Sequence, residues 1–310
     1  MSDAMPLGPG AEFDAIRRLL ERWGPRAVGI GDDAAVLRPP RGDLLVASVD
    51  SAIEGRHFEA GWLSAREIGY RAVAAALSDL AAMAARPLGV LIALGVPSEW
   101  RAQLDELADG IGEAVTMART HILGGNLSGA GELSITTTVL GSSYAPLARS
   151  GAKPGDLVYV TGRLGAPAWA VERLRAGEPA GAHRERFAHP TPRLAEARWA
   201  ADAGASAAID ISDGLGADAR HLATASGVSL DLDGASIPRV DGVSVELAVR
   251  SGEEYEILLA APRALDCAEF EARFGLPLTE IGRAGPGTPG AVRISGVAAT
   301  NVGGWSHFSS

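Results

Sequence analysis

Apolar residues recur every three or four positions in some segments of this chain and alternate with polar residues in others. The first pattern is typical of helices with one buried face, and the second is typical of half-buried strands. REIGYRAVAAALSDLAAMAA has the helical spacing and ends before Pro87, whereas LSITTTVLG alternates and is rich in β-branched residues. In the first half we therefore predict helices over 11–23, 64–85 and 98–119 and strands over 27–38, 44–50, 88–95 and 133–141.

A second mixture of strands and helices follows a seam at 142–156, where glycine, proline and serine accumulate. Because each half is long enough to bury its own core, we expect a mixed α/β fold of two domains, 1–148 and 149–310. In the second half we predict helices over 165–176, 193–204, 214–226 and 263–273, strands over 157–161, 207–211, 229–233 and 256–261, and a loop over 177–190.

The overall composition argues against several classes of protein. A net charge of −10 and a pI of about 5.1 argue against a protein that follows a nucleic-acid backbone. The single cysteine, Cys267, excludes an internal disulfide framework and fits a reducing cytoplasm. The N-terminus lacks the pattern of a signal peptide, and no run of about 18 apolar residues occurs. We therefore expect a cytoplasmic protein that neither crosses nor binds a membrane.

Aspartates stand within or at the ends of short apolar segments. Aspartate is a poor strand former and is costly to bury unpaired, so this repeated placement indicates a shared cation such as Mg²⁺. The only lysine, Lys153, is not in a Walker A loop, so phosphate charge would have to be neutralised by metal and arginine. The six acids are Asp32 and Asp33 in GIGDD, Asp50 after LLVASV, Asp79 in ALSDLAAM, and Asp210 and Asp213 in AIDISDG.

Each of these segments also has a purely structural explanation. GIGDD is compatible with a surface turn, His57 with a surface imidazole, and Asp79 with a solvent-facing position on its helix. Asp213 or Ser212 could simply cap the helix that follows, whose first N–H groups suit phosphate oxygens. HILGGNLSG is consistent with a glycine pair before a turn, and SGEEYE with residues that either bind a polar ligand or cover the surface.

The order of these motifs is more specific than any one of them. GIGDDAAVL, VDSAIEGRHF, LSDLAAM, GGN, ARSGAKPGD, YVTG, IDISDGL, SGEEYE and GGWSHF closely resemble the thiamine-monophosphate kinases, from residue 12 to residue 308. The resemblance implies the fold of the aminoimidazole-ribonucleotide and selenophosphate synthetases, with an N-terminal α/β domain that forms a homodimer. It also implies that ATP and thiamine monophosphate are converted to ADP and thiamine diphosphate.

The resemblance further assigns roles to individual positions. It implies a site with several Mg²⁺ ions and direct in-line phosphoryl transfer, without a covalent nucleophile or general base. The metal ligands would be Asp33, Ser48, Val49 through its carbonyl, Asp50, Asp79, Asn126, Asp210 and Asp213; ATP would contact Gly125, Asn126, Arg149 and Ser212; and thiamine monophosphate would contact His57, Glu253 and Trp305.

Two positions depart from the family pattern. Asn126 stands where an aspartate is usual, and Val49 stands where a hydroxyl residue is common. Asn126 keeps an oxygen that can bind Mg²⁺ but removes one negative charge. The alternatives are therefore another ATP-using enzyme of the same superfamily or a catalytically silent nucleotide-binding protein. A selenophosphate synthetase is disfavoured, because those enzymes generally need a reactive cysteine near the N-terminus and the cysteine here is Cys267.

Overall fold

The computed structural model describes residues 11–28, 30, 35, 37–298 and 302. The chain divides into two compact units. Unit 1 comprises Met1–Leu80 and Ala85–Ala145, and unit 2 comprises Ala81–Ala84 and Pro146–Ser310. None of the helices in the described ranges is long and apolar enough to cross a membrane.

Unit 1 is built on a four-stranded sheet with the strand order β1-β4-β2-β3. β4 pairs antiparallel with both β1 and β2, and β2 pairs parallel with β3. The elements are α1 (Ala11–Trp23), β1 (Leu44–Ile53), α2 (Ala65–Ala82), β2 (Arg86–Val96), α3 (Leu104–Met117), β3 (Ile122–Gly129) and β4 (Ser134–Ser143), with 3₁₀ turns at Gly24–Arg26 and Ser98–Gln103.

Helix α2 lies over one face of this sheet, which we call the covered face. Its Asp79 contacts Ser48 of β1, and its Leu80 lies where a side chain on Gly141 of β4 would have to go. On the opposite face, which we call the open face, Val49 of β1 is 61% exposed. Because side chains alternate along a strand, Ser48 and Asp50 share the covered face while Val49 belongs to the open face.

The helices α2 and α3 cross backbone to backbone. A Cβ atom added at Gly110 of α3 would lie 1.8 Å from the carbonyl oxygen of Arg66, and one added at Gly69 of α2 would lie 2.2 Å from that of Leu107. Only glycine allows such an approach. The two glycines therefore fix the distance between the helices.

Unit 2 contains a six-stranded sheet with the strand order β10-β7-β9-β5-β8-β6. β5 and β8 are buried along their whole length, which explains their uninterrupted apolar sequences LVYVT and ILLAA. The elements are β5 (Leu157–Thr161), α4 (Ala166–Arg175), α5 (Arg184–Ala188), α6 (Leu194–Asp202), β6 (Ala207–Asp210), α7 (Leu215–Ser226), β7 (Ser229–Asp233), α8 (Val245–Arg250), β8 (Ile257–Ala261), α9 (Cys267–Phe274), β9 (Leu278–Gly285) and β10 (Val292–Ser295), with a 3₁₀ turn at Gly181–His183.

Most of the predicted elements are present, and four predictions need correction. The helix predicted over 98–119 begins as a 3₁₀ turn and becomes α-helical at Leu104. The helix predicted from 263 starts at Cys267, because the Asp266 side chain caps it by accepting from the Glu269 N–H. The strand predicted over 27–38 lies partly outside the described residues, and the described part forms isolated bridges such as Ala27 with Ile122. The loop predicted over 177–190 contains a 3₁₀ turn and α5.

Several elements were not predicted. The strand β3 replaces the expected glycine turn in HILGGNLSG, since parallel pairing with β2 outweighs the low strand preference of glycine. The short helix α8 and the strands β9 and β10 were also missed. β10 has only four residues, which is too short for periodicity to show.

The α2–α3 crossing leads to a stability prediction. Gly110→Ala should lower the free energy of unfolding by about 3 kcal/mol, because its methyl group collides with the α2 backbone. Gly112→Ala is a matched control in the same helix, since its Cβ would meet only side-chain atoms, at 3.4 Å. We expect it to be neutral or to stabilise by up to about 1 kcal/mol through helix propensity. Equal effects in denaturant unfolding would contradict this account of the crossing.

Candidate functional site

Unit 1 brings three of the predicted metal-binding residues to the covered face. Ser48 Oγ donates a hydrogen bond to Asp79 Oδ2 at 2.5 Å. Asp50 lies two residues along β1 from Ser48, and its Oδ1 accepts the Ser51 N–H at 2.7 Å. Asp79 is half-buried within α2, so it is not the solvent-facing aspartate of the structural alternative. This part of unit 1 offers two carboxylates and a hydroxyl, all of them oxygen ligands of the kind Mg²⁺ prefers.

His57 lies in the turn that leaves β1. The ring Nδ1 of His57 accepts a hydrogen bond from the backbone N–H of Ile53 at 3.1 Å. The backbone N–H of His57 donates to the Ile53 carbonyl at 2.9 Å. An acceptor Nδ1 requires that the proton of the neutral ring be on Nε2. The imidazole is therefore held by the strand end, with one orientation and one tautomer.

The structure places Gly125 and Asn126 in β3, at the edge of the sheet opposite to β1. Three strand spacings, roughly 14 Å, separate the two edges. Asn126 pairs with Ala93, which pairs with Thr136, which pairs with Ser51, so the Asn126 side chain belongs to the open face. Within one copy of unit 1, Asn126 is therefore not brought together with Asp50.

Glycine is required at position 125 for a packing reason. A Cβ atom there would lie 1.8 Å from the carbonyl oxygen of Ile92 in the neighbouring strand. Gly125 is nevertheless exposed on its other side, so its backbone is accessible to a ligand.

Unit 2 positions Asp210, Ser212 and Asp213 in the loop between β6 and α7. Asp210 ends β6 and is 4% exposed, while Ser212 and Asp213 are half-buried. The backbone N–H groups of Ser212, Asp213 and Gly214 all donate to one oxygen, Oδ2 of Asp218, at 3.0–3.1 Å. A single buried carboxylate in the first turn of α7 thus sets the conformation of the whole loop.

This arrangement removes the capping alternative. The N-cap of α7 is Gly214, and no side chain in the described structure caps this helix. Neither Ser212 nor Asp213 is therefore used as a cap. The three N–H groups that precede the helix are taken by Asp218, so these three are not available to a phosphate.

Three carboxylates lie close enough in this region to influence one another. Burial, and then the carboxylates of Asp210 and Asp213, raise the pKa of Asp218 to about 8, although its hydrogen bonds to backbone N–H groups act in the opposite direction. Three acids that repel one another in this way suit a bound cation, which would replace repulsion with attraction.

The segment 251–256 pairs with this loop through its backbone. The N–H of Glu253 donates to the carbonyl of Ser212 at 2.7 Å, and the N–H of Tyr255 donates to that of Ile211 at 2.9 Å. Unit 2 therefore places Glu253 directly beside Ser212. Glu253 and Tyr255 have φ values of 57° and 53°. Left-handed backbone costs non-glycine residues about 1–3 kcal/mol each and tends to occur at functional sites.

Two further acids of this segment are buried. Glu256 is fully buried and accepts hydrogen bonds from Thr161, Arg186 and Arg193. Glu254 Oε1 accepts the Gly165 N–H, and burial raises the pKa of Glu254 to about 8 in spite of the Arg186 charge. Of the residues in SGEEYE that were expected either to bind a polar ligand or to cover the surface, Glu254 and Tyr255 are buried, so they do not cover the surface.

One predicted site residue, Arg149, is placed differently, and three predicted residues are not described. The carbonyl of Arg149 accepts from Ser226 Oγ at 2.8 Å, at the C-terminal end of α7. This is about a helix length, roughly 16 Å, from the residue that begins α7. The backbone of Arg149 is thus not adjacent to Ser212, and its exposed side chain extends from that distant position. Asp32, Asp33 and Trp305 lie outside the described residues.

The residues present fit Mg²⁺ in their chemistry without forming a complete cage. In the described part of the chain, no three His, Cys, Asp or Glu side chains converge on one point. Mg²⁺ usually keeps several waters and needs only one or two protein carboxylates. Asp50 and Asp79 in unit 1, and Asp210 and Asp213 in unit 2, each meet that requirement.

Comparison with protein-family models defines the class of this fold. The N-terminal domain of AIR synthase related proteins matches residues 31–143, and their C-terminal domain matches residues 153–295. The chain is thus built of the two domains of an AIR synthase related protein, in agreement with the predicted two-part α/β fold.

Comparison with individual proteins is more specific. Thiamine-monophosphate kinase of Salmonella typhimurium is 35% identical over 298 residues, which cover 88% of this chain and 90% of the relative. The crystal structure of thiamine-monophosphate kinase from Stenotrophomonas maltophilia K279a is 33% identical, with a TM-score of 0.83 over 93% of this chain and 98% of that one. AaThiL complexed with AMPPCP and TMP is 28% identical, with a TM-score of 0.77 over 99% and 100%. The chain belongs to the thiamine-monophosphate kinase family.

Sequence reasoning missed three acids that shape the candidate site. Asp218, Glu254 and Glu256 form hydrogen bonds beneath the loops that carry the predicted ligands. For Asp218 a signal existed, since an acid in the first turn of a helix that follows a glycine-containing loop can accept the loop N–H groups. For Glu256 none was available, because its partners lie 63–95 positions away in sequence.

The role of Asp218 can be tested by removing its acceptor oxygen. Asp218→Ala leaves three backbone N–H groups without their partner and should lower the free energy of unfolding by roughly 2–3 kcal/mol. Asp218→Asn keeps one acceptor oxygen and should cost less. Asp233→Ala is a control in the same unit, since Asp233 accepts hydrogen bonds but is exposed. A loss from Asp218→Ala no larger than that of the control would show that the loop is held by other contacts.

Proposed function

We propose that this protein transfers the γ-phosphoryl group of ATP to thiamine monophosphate, yielding thiamine diphosphate and ADP. The observation that carries this proposal is the match to thiamine-monophosphate kinases over almost nine tenths of the chain. AaThiL, which is similar over nearly the whole length, was obtained with AMPPCP and TMP. The half-buried Cys267 is in keeping with the reducing cytoplasm, where we expect the reaction to occur.

The reaction brings two anionic phosphates together, so its main requirement is charge neutralisation and alignment. We assign Ser48, Asp50 and Asp79 in unit 1 and Asp210 and Asp213 in unit 2 as Mg²⁺ ligands, with Asp33 and the Val49 carbonyl as further candidates. Bound Mg²⁺ would supply positive charge to the phosphate oxygens. Because the acceptor phosphate is already largely ionised near neutral pH, no general base is required. Transfer is then direct, without a covalent enzyme intermediate.

The remaining assignments concern the two substrates. Ser212 and Glu253 lie side by side in unit 2, which supports neighbouring contacts to ATP and to thiamine monophosphate. His57 would present its Nε2 proton, since Nδ1 is occupied by the Ile53 N–H. We further assign Gly125, Asn126 and Arg149 to ATP and Trp305 to thiamine monophosphate.

A homodimer is part of this proposal. Leu44, Leu45 and Val49 of the edge strand β1 are 58%, 57% and 61% exposed, which is unusual for large apolar side chains on a sheet. Asn126 lies on the same open face as Val49 but at the other edge. A second copy that packs on the open face would cover Leu45 and Val49, which alternation along β1 places on that face. It would also allow Asn126 of one copy to approach β1 of the other.

One experiment distinguishes the kinase function from two alternative functions. A nucleotide-binding protein without activity is motivated by Asn126, and another ATP-using enzyme is motivated by the shared fold. Incubation with ATP, Mg²⁺ and thiamine monophosphate should yield thiamine diphosphate in the parent protein. ATP binding without this product would overturn the kinase assignment in favour of the silent protein. ATP hydrolysis that thiamine monophosphate does not stimulate would favour a different substrate.

The same assay tests whether Asp79 of unit 1 is a metal ligand. Asp79→Asn should reduce turnover on the order of 100-fold at saturating Mg²⁺, because it removes a metal ligand. It should change thermal stability little, because the amide keeps the shape of the side chain and an acceptor for Ser48. Near-parental turnover would show that Asp79 is not a central ligand.

The homodimer is tested at the exposed valine. Val49→Asp places a charge in the proposed interface and should shift the protein from dimer to monomer in light-scattering measurements. Val49→Thr has a similar shape without the charge and serves as the matched control, which should remain dimeric. A parent protein that is monomeric at the same concentration, or a Val49→Asp variant that stays dimeric, would contradict this interface.

A further inference from the structure

The segment 251–256 has an unusual backbone that something must hold in place. Glu253 and Tyr255 are both left-handed, one on each side of Glu254. Glu253 is half-buried, whereas Glu254 and Tyr255 are buried. A strained backbone of this kind persists only where the surroundings over-determine it. The side chains beneath the segment therefore hold its backbone in place.

Glu256 is the strongest of these anchors. Its Oε2 accepts from Thr161 Oγ1 at 2.7 Å and from Arg193 Nε at 2.7 Å, and its Oε1 accepts from Arg193 Nη2 at 2.6 Å and from Arg186 Nη2 at 2.8 Å. Arg193 thus binds the carboxylate with two parallel hydrogen bonds, a geometry that fixes direction as well as distance. Gly162 makes room for it, since a Cβ there would lie 2.2 Å from Glu256 Oε1.

Glu254 anchors the same segment to a different element. Its Oε1 accepts the N–H of Gly165, the residue that begins α4, and Ser251 Oγ also hydrogen bonds to it. Arg186 Nη2 lies 3.6 Å from Glu254 Oε2 and 2.8 Å from Glu256 Oε1, so one guanidinium faces both carboxylates. The two acids on either side of Tyr255 are therefore fixed to α4, α5 and the start of α6.

A cavity of about 320 Å³ adjoins this cluster, lined among others by Arg163, Arg186, His189, Arg193, Glu254 and Glu256. Its three arginines suggest an anion site at first sight. However, Arg193 directs Nε and Nη2 to Glu256, and Arg186 directs Nη1 to the Arg163 carbonyl and Nη2 to Glu256. Arg163 Nη1 is directed to the Arg239 carbonyl at 3.5 Å. Because these donors are used within the protein, the cluster is better explained as a support than as a ligand site.

We propose that the ion-paired group of Glu256, Arg193 and Arg186, which we call the anchor cluster, positions Glu253 for thiamine monophosphate. This proposal rests on the proposed function, because it assigns Glu253 to that substrate. The anchor cluster fixes the backbone at Glu256, three residues after Glu253, while the N–H of Glu253 is held by Ser212. These residues do not touch substrate themselves, so they are positioning residues.

The test uses a variant that keeps the positive charge at position 193 but removes the pair of parallel hydrogen bonds to Glu256. Arg193→Lys retains a cation for Glu256 but cannot donate two parallel hydrogen bonds. We expect the KM for thiamine monophosphate to rise about tenfold, since small misplacements of a binding group are costly, while the KM for ATP stays within about twofold. Arg186→Lys, at the more exposed arginine, is the second variant and should show the same selectivity with a smaller increase.

A double-mutant cycle separates positioning from general destabilisation. In a Glu253→Gln background, Arg193→Lys should change the KM for thiamine monophosphate by less than about twofold, because the group it positions is already impaired. Phe270→Leu is the control for stability, since Phe270 is fully buried in unit 2 among Trp199 and Phe274. It should lower Tm by a few °C without a selective change in either KM.

Three outcomes would overturn the proposal. The first is an unchanged KM for thiamine monophosphate in both arginine variants. The second is an equal effect of Arg193→Lys in the parent and in the Glu253→Gln background, which would indicate a merely structural role while leaving the kinase function intact. The third is a parent protein that makes no thiamine diphosphate, which would overturn the proposed function together with this inference.

Discussion

The main constraint on the candidate-site region of unit 2 is the free-energy cost of burying a carboxylate. A buried acid destabilises the fold unless donors surround it, so each one gathers chain segments around itself. Asp218 gathers the three N–H groups of the loop between β6 and α7, and Glu256 gathers two arginines and a threonine from three separate elements. The loops that carry Asp213 and Glu253 are consequently held from beneath by buried side chains.

Unit 1 places its acids by a different means. Here glycines allow backbones to approach one another, at the crossing of α2 with α3 and between β2 and β3 at Gly125. Helix α2 also carries Asp79, which accepts a hydrogen bond from Ser48 of β1. The two units thus reach similar results, an acid held near other oxygen ligands, through close backbone packing in one and through buried hydrogen bonds in the other.

The spacing of apolar residues predicts those helices and strands whose formation depends on residues close in sequence. Helix α1, helix α2 and the strand β4 follow from spacing alone, and the fully buried β5 follows from an apolar run. The strand β3 could not be predicted in this way, because its glycines favour a turn until β2 is present to pair with them. The candidate ligands were found because acids within apolar segments are conspicuous, and the substrate came from the order of motifs. The supporting acid Glu256 was missed because its partners are distant in sequence.

The hydrogen-bond partners of Glu256 constrain the order in which unit 2 can fold. Its partners Thr161, Arg186 and Arg193 all precede it, the most distant by 95 positions. During synthesis from the N-terminus, both arginines emerge well before the acid that neutralises them. Until the second half of unit 2 has been synthesised, the two arginines lack Glu256, although Arg193 has a nearby acid in sequence, Glu196. The region around Glu253 can therefore acquire its final form only late, when the long-range contacts of the sheet close.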